Sequence, residues 1–296
     1  MRKAWRGSIV AVVTPFNSDG SIDYAAFEGL IDFHLENETD GIVVCGTTGE
    51  AATLSKQEYA DLIKFAIDKV GKRVPVIAGT GSNSTFAAIE NSRLAESLGA
   101  DGVLVVAPYY NKPTRNGLKD YFSQVSESVS IPVILYNVPG RTASNVPADL
   151  VVELANEYDN IVGIKEASGN LEQMASILRD KPNGFMVFSG DDALAFPAAC
   201  LGADGVISVI ANLIPREFHD LMKAASVGDL VKAKEIHYRY LKLIQLCFIE
   251  SNPIPVKTGL GLMERLTEEF RSPMSRMMDE NKEKLKKEMQ ALNLVG

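Results

Sequence analysis

LGADGVLVVAP, residues 98–108, is where a segment of helical periodicity stops and a β-branched run starts. Gly99 suits the left-handed cap that ends a helix, and the Asp101-Gly102 pair then turns the chain into a strand. The opening letters, LGADGV, return at Leu201 to Val206, and a looser copy, TDGIV, stands at Thr39 to Val43. A junction that recurs marks a repeated unit. Working outward, short apolar runs occur as SIVAVVTPF (8–16), GIVVCG (41–46), PVIAGT (75–80), GVLVVAP (102–108), PVILYNV (132–138), IVGIKEA (161–167), FMVFSG (185–190) and GVISVI (205–210). Helical periodicity fills the intervals at Asp23 to Asn37, Lys56 to Val70, Thr85 to Leu98, Leu118 to Val129, Pro147 to Tyr158 and Leu171 to Leu178.

Strands buried on both faces read as continuous apolar runs, and parallel strands require crossovers such as helices between them. Eight such units predict an α/β fold, a closed (β/α)8 TIM barrel. A doubly wound open sheet is the rival architecture; it favours a glycine-rich fingerprint after the first strand, and none follows SIVAVVTPF. Beyond about Val227 only helical patterns remain: VKAKEIHYRYLKLIQLCF, the proline-punctuated IESNPIPVKTGL, and MSRMMDENKEKLKKEMQAL. The chain therefore divides into a barrel over 1–226 and a helical extension over 227–296. Within the extension the NKEKLKKEMQ charge run is expected to be a solvated helix face.

With 296 residues, 46% of them hydrophobic, the chain suits one large domain with a sizeable core. Its net charge of −8 and the lack of a basic patch argue against a nucleic-acid partner, leaving small molecules as the expected ligands. The three cysteines, Cys45, Cys200 and Cys247, show no metal-type spacing and fit free, mostly buried thiols in a reducing, cytoplasmic compartment. No metal is expected. The start, MRKAWRGSIVAVVTPF, has the positive charges of a signal peptide, but its apolar stretch is short and lacks a small-x-small cleavage site, so it reads as a first strand. No apolar run approaches bilayer-spanning length. His34, His219 and His237 fall on helical segments without a partner signature, and structural roles are expected for them.

Active sites in (β/α)8 barrels collect at the C-terminal ends of strands. Lys165 lies near the end of the sixth run, Tyr136 ends the fifth, Thr47 and Thr48 follow the second, and Gly190 with Asp191 follows the seventh. A lysine drawn from water into an apolar wall loses solvation, which favours the neutral, nucleophilic amine. Such a lysine also snorkels or pairs with an acid in many strands. Strict alternation places Ile161, Gly163 and Lys165 on one face, with Gly163 leaving space beside the amine. It also points Ile134 and Tyr136 together, bringing a phenol toward the lysine. GTTGE (46–50) offers hydroxyls and backbone N–H groups to a carboxylate, although a plain turn accounts for it equally well. Arg141, on the Pro-Gly turn of YNVPGRT (136–142), would grip a carboxylate with its fork or form a surface ion pair. Lys257, in NPIPVKTG, is the other lysine in apolar surroundings and ranks below Lys165.

GTTGE, YNVPGRT and GIKEASG, in that order on an eight-unit barrel with a helical tail, resemble the dihydrodipicolinate synthase branch of the pyruvate-dependent class I aldolases. The resemblance spans nearly the whole chain. Lysine plus tyrosine would indicate the superfamily, which includes N-acetylneuraminate lyase; Arg141 favours the synthase. The resemblance implies a Schiff base between Lys165 and pyruvate, with Tyr136 relaying protons. Thr47 and Thr48 would hold the pyruvate carboxylate, Gly190 and Ile207 would lend backbone to the pocket, and Arg141 would bind the carboxylate of aspartate semialdehyde. Tyr110, in APYYNKPT, would reach into a neighbouring subunit's site, which implies a homotetramer built from dimers. No cofactor is implied. A sibling aldolase acting on another 2-keto acid and a barrel that binds without turnover are the alternatives, and fold alone does not separate them.

One departure concerns regulation. Feedback-inhibited members bind lysine through an Asn and a Tyr, present as Asn83 and Tyr109, and through His and Glu positions that read Lys56, Tyr59 and Ala87. A cation at position 56 would repel lysine and the missing acid removes its partner, so inhibition by lysine is expected to be weak or absent.

Overall fold

A computed structural model describes residues 5–296; residues 1–4, the head of the stretch read above as leading into the first strand, lie outside the described residues. The strands are β1 (Gly7–Ala11), β2 (Gly41–Val44), β3 (Val76–Gly79), β4 (Gly102–Val106), β5 (Val133–Asn137), β6 (Ile161–Glu166), β7 (Met186–Ser189) and β8 (Gly205–Ser208). They pair in parallel in chain order, and β8 returns to β1 to close the barrel. The helices are α1 (Tyr24–Glu36), α2 (Lys56–Val70), α3 (Thr85–Leu98), α4 (Arg115–Glu127), α5 (Pro139–Thr142), α6 (Ala148–Glu157), α7 (Leu171–Asp180), α8 (Ala195–Cys200) and α9 (Pro215–Ser226), followed by α10 (Leu230–Leu246), α11 (Ile254–Leu262) and α12 (Asp279–Ala291). Where these bounds differ from the periodicity, capping explains it: α4 begins before Leu118 because the Thr114 hydroxyl accepts the Gly117 N–H at its N-terminus.

The repeated junction has a structural meaning. Gly99 and Gly202 cap their helices with φ of +92° and +101°. The aspartate of each copy then reaches back to the strand of the preceding unit: Asp40 Oδ2 accepts the Ser8 N–H at 2.7 Å, Asp101 Oδ2 that of Val76 at 3.0 Å, and Asp204 Oδ2 that of Val187 at 3.0 Å. One short motif thus ends a helix, turns the chain, and ties neighbouring strands at the N-terminal end of the barrel.

Alternation along the strands divides the core in two. Ile9, Val43, Ile77, Leu104, Ile134 and Ile207 fill the barrel, while Val10, Ile42, Val44, Val103 and Leu135 face the helical layer. β6 breaks this rule. Its register against β5 jumps from Val133↔Ile161 to Ile134↔Gly163, a bulge that inserts Val162. Val162 consequently joins the barrel interior and Ile161 the outer layer, so Ile161 and Lys165 do not share a face as strict alternation predicts. Gly163 does not leave room for the amine either; a Cβ there would lie 2.7 Å from the Met186 carbonyl oxygen, so this glycine accommodates the backbone of β7.

Beyond the barrel, α10 packs on α9 and α12, and α11 is buried from Ile254 to Leu260. α12 carries the charge run but buries Leu285, Glu288 and Met289, so one of its faces belongs to the core. Cys45 and Cys247 are buried free thiols, raised in pKa by burial, and Cys200 is exposed. Burial, with Arg265 nearby, pulls His34 down to about 3, and its Nδ1 lies 3.1 Å from the Thr39 hydroxyl. Among the described residues no helix is long and apolar enough to cross a membrane.

Candidate active site

β5 and β6 carry Tyr136 and Lys165 as direct register partners. Both side chains are buried, and Lys165 Nζ stands 4.5 Å from the centroid of the Tyr136 ring, within cation–π range. The amine meets the face of the ring, and no hydrogen bond joins it to the phenol oxygen among the described residues. The next register pair is Asn137 and Glu166. Asn137 Nδ2 donates to both oxygens of the Glu166 carboxylate, at 3.2 and 2.9 Å, which also accepts from the Ser168 N–H at 2.7 Å and Gln173 Nε2 at 2.9 Å. This satisfied buried acid locks the ends of the two strands together, and with them the pair one residue inward.

Gly190 follows β7 and donates its N–H to the Glu166 carbonyl at 2.7 Å. A Cβ at this position would lie 2.5 Å from Ala167 Cβ and 2.9 Å from Lys165 Cε. The stem of Lys165 passes through the space that the missing side chain leaves. Ile207 lies inside the barrel with Ile9 and Phe188. Asp191 caps the turn after β7 by accepting the Ala193 N–H at 2.9 Å. Its neighbour Asp192 is buried, accepts the N–H groups of Val209 and Ile210, and is pushed up to about 6 by burial.

The Gly46–Glu50 loop is a compact turn. The N–H groups of Gly49 and Glu50 donate within it, to Gly46 and Thr47 carbonyls, leaving those of Thr47 and Thr48 without a partner among the described residues. Thr47 is exposed at the surface of a cavity; Thr48 is buried, and its hydroxyl accepts from Asn252 Nδ2 at 2.9 Å. Arg141 sits in the single turn of α5 rather than on an open loop, exposed, with Nη2 donating to the Asn252 carbonyl at 3.4 Å. Neither the surface ion pair nor any other carboxylate engages it among the described residues.

A cavity of about 790 Å³ joins these groups: Thr47, Tyr136, Val138, Arg141 and Asn252 line one part of it. Lys165 lies against the Tyr136 ring and is not itself on this wall, and Thr48, Gly190 and Ile207 are also off it. The cavity continues to Lys56, Tyr59, Ala87 and Tyr109, four of the positions expected for an effector. Tyr59 is buried there with its hydroxyl donating to the Gly79 carbonyl at 2.8 Å. Asn83 is not on the wall; its carbonyl accepts from Asn111 Nδ2 at 2.7 Å. Tyr110 stands apart, 89% exposed, with a φ of 75° that turns it out from the chain. Sequence reasoning missed Asn252 and Glu50. Their signals are a proline-framed polar residue in SNPIP, a segment read only as helical extension, and an acid closing GTTGE, a loop read for its hydroxyls and N–H groups rather than for its carboxylate. Among the described residues no group of three or more His, Cys, Asp or Glu side chains is arranged to hold a metal ion.

The profile of the Dihydrodipicolinate synthetase family matches residues 4–292. The chain is 51% identical over 292 residues to the 4-hydroxy-tetrahydrodipicolinate synthase of Syntrophus aciditrophicus, covering 99% of this chain and 100% of that one. Among solved structures it is similar to the chloride-inhibited dihydrodipicolinate synthase from Acinetobacter baumannii complexed with pyruvate, with a TM-score of 0.97, 42% identity, and 99% and 100% of the two chains covered. It is equally similar in shape to a monomeric dihydrodipicolinate synthase variant, with a TM-score of 0.97, 38% identity and 98% of each chain covered.

Proposed function

The chain belongs to the dihydrodipicolinate synthetase family, and we propose from this premise that it condenses pyruvate with L-aspartate 4-semialdehyde through a Schiff base on Lys165. The product is 4-hydroxy-tetrahydrodipicolinate, and the reaction is the committed step toward diaminopimelate and lysine. The observation that carries the assignment of residues is the buried Lys165–Tyr136 pair at the C-terminal ends of adjacent strands, beside a cavity that Thr47 and Arg141 also line.

The Lys165 amine adds to the pyruvate ketone and water leaves, giving an iminium whose positive nitrogen acidifies the adjacent methyl group. Loss of a methyl proton, relayed by Tyr136, yields an enamine. Its carbon attacks the aldehyde of the semialdehyde, and the new alkoxide takes a proton. The amino group of the semialdehyde then attacks the iminium carbon, closing the ring and expelling Lys165 as the free amine. One water is lost over the cycle, which makes the enzyme a carbon–oxygen lyase with a class I aldolase mechanism. Thr47 and Thr48 hold the pyruvate carboxylate with hydroxyls and free N–H groups, Gly190 and Ile207 shape the pocket, and Arg141 takes the carboxylate of the semialdehyde. Tyr110 completes the proton path of a neighbouring subunit in a cytoplasmic homotetramer built from dimers; its outward pose supports that reading.

Borohydride reduction in the presence of pyruvate tests the assignment. Mass analysis of the digest should find the reduced adduct on the peptide holding Lys165, Lys165→Ala should lose it, and Arg141→Ala should raise KM for the semialdehyde by about tenfold or more. An adduct on Lys257, or none, would sink the assignment.

A further inference from the structure

Lys257 is the second lysine set among apolar residues, and it is the more deeply buried, with a side chain 0% exposed in α11. Its Nζ donates to Glu50 Oε1 at 2.6 Å and lies 4.4 and 4.9 Å from the ring centroids of Phe16 and Phe270. Burial pulls its pKa down, and the charge and hydrogen bond of Glu50 push back. The other Glu50 oxygen accepts the Arg271 N–H at 3.3 Å. A buried pair of this kind is a weak source of stability, because desolvating both ions offsets their attraction. It does restrict geometry: each ion has one place to stand.

Glu50 is also the last residue of the Gly46–Glu50 loop and adopts a φ of 52°, a left-handed conformation that a non-glycine residue holds at a cost. Its N–H donates to the Thr47 carbonyl at 3.1 Å, so the position of Glu50 is passed to Thr47 through one turn. Thr48 is tied to Asn252, from the segment between α10 and α11, and the Gly49 carbonyl to the Thr14 hydroxyl at 2.7 Å. Of these four anchors, Lys257, Arg271 and Asn252 come from the chain beyond the barrel, and Thr14 from the loop after β1. Glu50 lines the cavity and Lys257 does not.

We propose that the Glu50–Lys257 pair positions Thr47 and Thr48 for the pyruvate carboxylate, making Lys257 a positioning residue for a substrate it never touches. The inference rests on the assignment of Thr47 and Thr48 to that carboxylate. It gives the buried lysine a purpose: the chain after the barrel reaches the loop through this ionic contact, the Arg271 N–H on Glu50 and the Asn252 hydrogen bond.

The test uses the full-length enzyme as Lys257→Met and as the charge-neutral double variant Glu50→Gln/Lys257→Met. The single change leaves a buried carboxylate without its partner and endangers folding; the double change removes both charges at similar volume. In the folded double variant KM for pyruvate should rise by about tenfold or more while KM for the semialdehyde stays within about twofold. Borohydride should still trap pyruvate on Lys165 when pyruvate is saturating. An unchanged pyruvate KM in that variant overturns the inference, as does a loss in which both KM values and kcat shift together with Tm. Failure of the wild-type enzyme to trap pyruvate on Lys165 would instead remove the functional reading, and this inference with it.

Discussion

At the scale of single residues the site depends on an absence. Lys165 reaches the Tyr136 ring because Gly190 has no side chain to obstruct its stem, and because Glu166 and Asn137 fix the strand ends just outside. In Gly190→Ala the new Cβ meets Ala167 Cβ at 2.5 Å and Lys165 Cε at 2.9 Å, so the lysine stem must swing away. The lysine stem can swing aside, but Ala167 Cβ is fixed to the backbone, so the segments after β6 and β7 must also move apart, and displacing the proposed nucleophile by a fraction of an ångström to an ångström costs catalysis. We expect kcat to fall ~10- to 100-fold together with a lowered Tm from the overpacked Ala167 contact, as read by steady-state rates and thermal melts on the same preparation. Wild-type kcat would show that the gap serves something else. Lys165, Tyr136 and Thr47 were legible in the sequence because strand ends expose chemistry at predictable spacings. The face of Val162 was not, because a bulge is a property of two strands in register and is invisible in one.

At the scale of elements, the segment after α11 holds α2 by its N-terminus. Ser55 and Glu58 form a reciprocal capping box, and the Arg271 guanidinium bonds the Glu58 carboxylate together with the carbonyls of Gly20 and Thr53. The Arg271 hydrogen bonds, helped by those from Ser55, hold Glu58 down to about 2 from its ordinary 4.5. In the unfolded chain the carboxyl takes its proton near the ordinary value, whereas the folded protein resists until about 2. The stabilisation is therefore complete above the ordinary value and lost as pH falls through the folded one. The pair is partly exposed, so screening limits it to about 1 kcal/mol. Thermal melts of wild type and Glu58→Gln should show a Tm gap that closes between about pH 5 and about pH 2. A gap independent of pH would mean that Glu58 acts through its cap geometry alone. Periodicity predicted α2 from Lys56 to Val70, but the arginine that holds it lies more than two hundred positions away, beyond the reach of local patterns.

At the scale of the molecule, the closed barrel was legible because its logic is repeated: the aspartate hook recurs at three of its junctions, with a glycine cap at two of them. The cavity was not, because the elements that shape it are scattered. It runs continuously from Tyr136 and Arg141 to Lys56, Tyr59, Ala87 and Tyr109. That continuity bears on regulation. A free lysine molecule brings an ammonium to a region where Lys56 already supplies a cation and where position 87 offers no acid. Like charges a few ångströms apart repel by about 4 kcal/mol at an effective dielectric of ~20, enough to weaken a micromolar affinity to roughly millimolar. Glu90 lines the same cavity, but Arg93 Nη1 approaches its carboxylate to 3.8 Å and shares its charge. Tyr59 donates its hydroxyl proton to the Gly79 carbonyl, so it offers none to a ligand carboxylate. The purified enzyme should therefore keep most of its rate at about 0.1 mM lysine, and Lys56→His with Ala87→Glu should increase its sensitivity. Inhibition of the unaltered enzyme at micromolar lysine would show that Glu90, rather than position 87, supplies the acid.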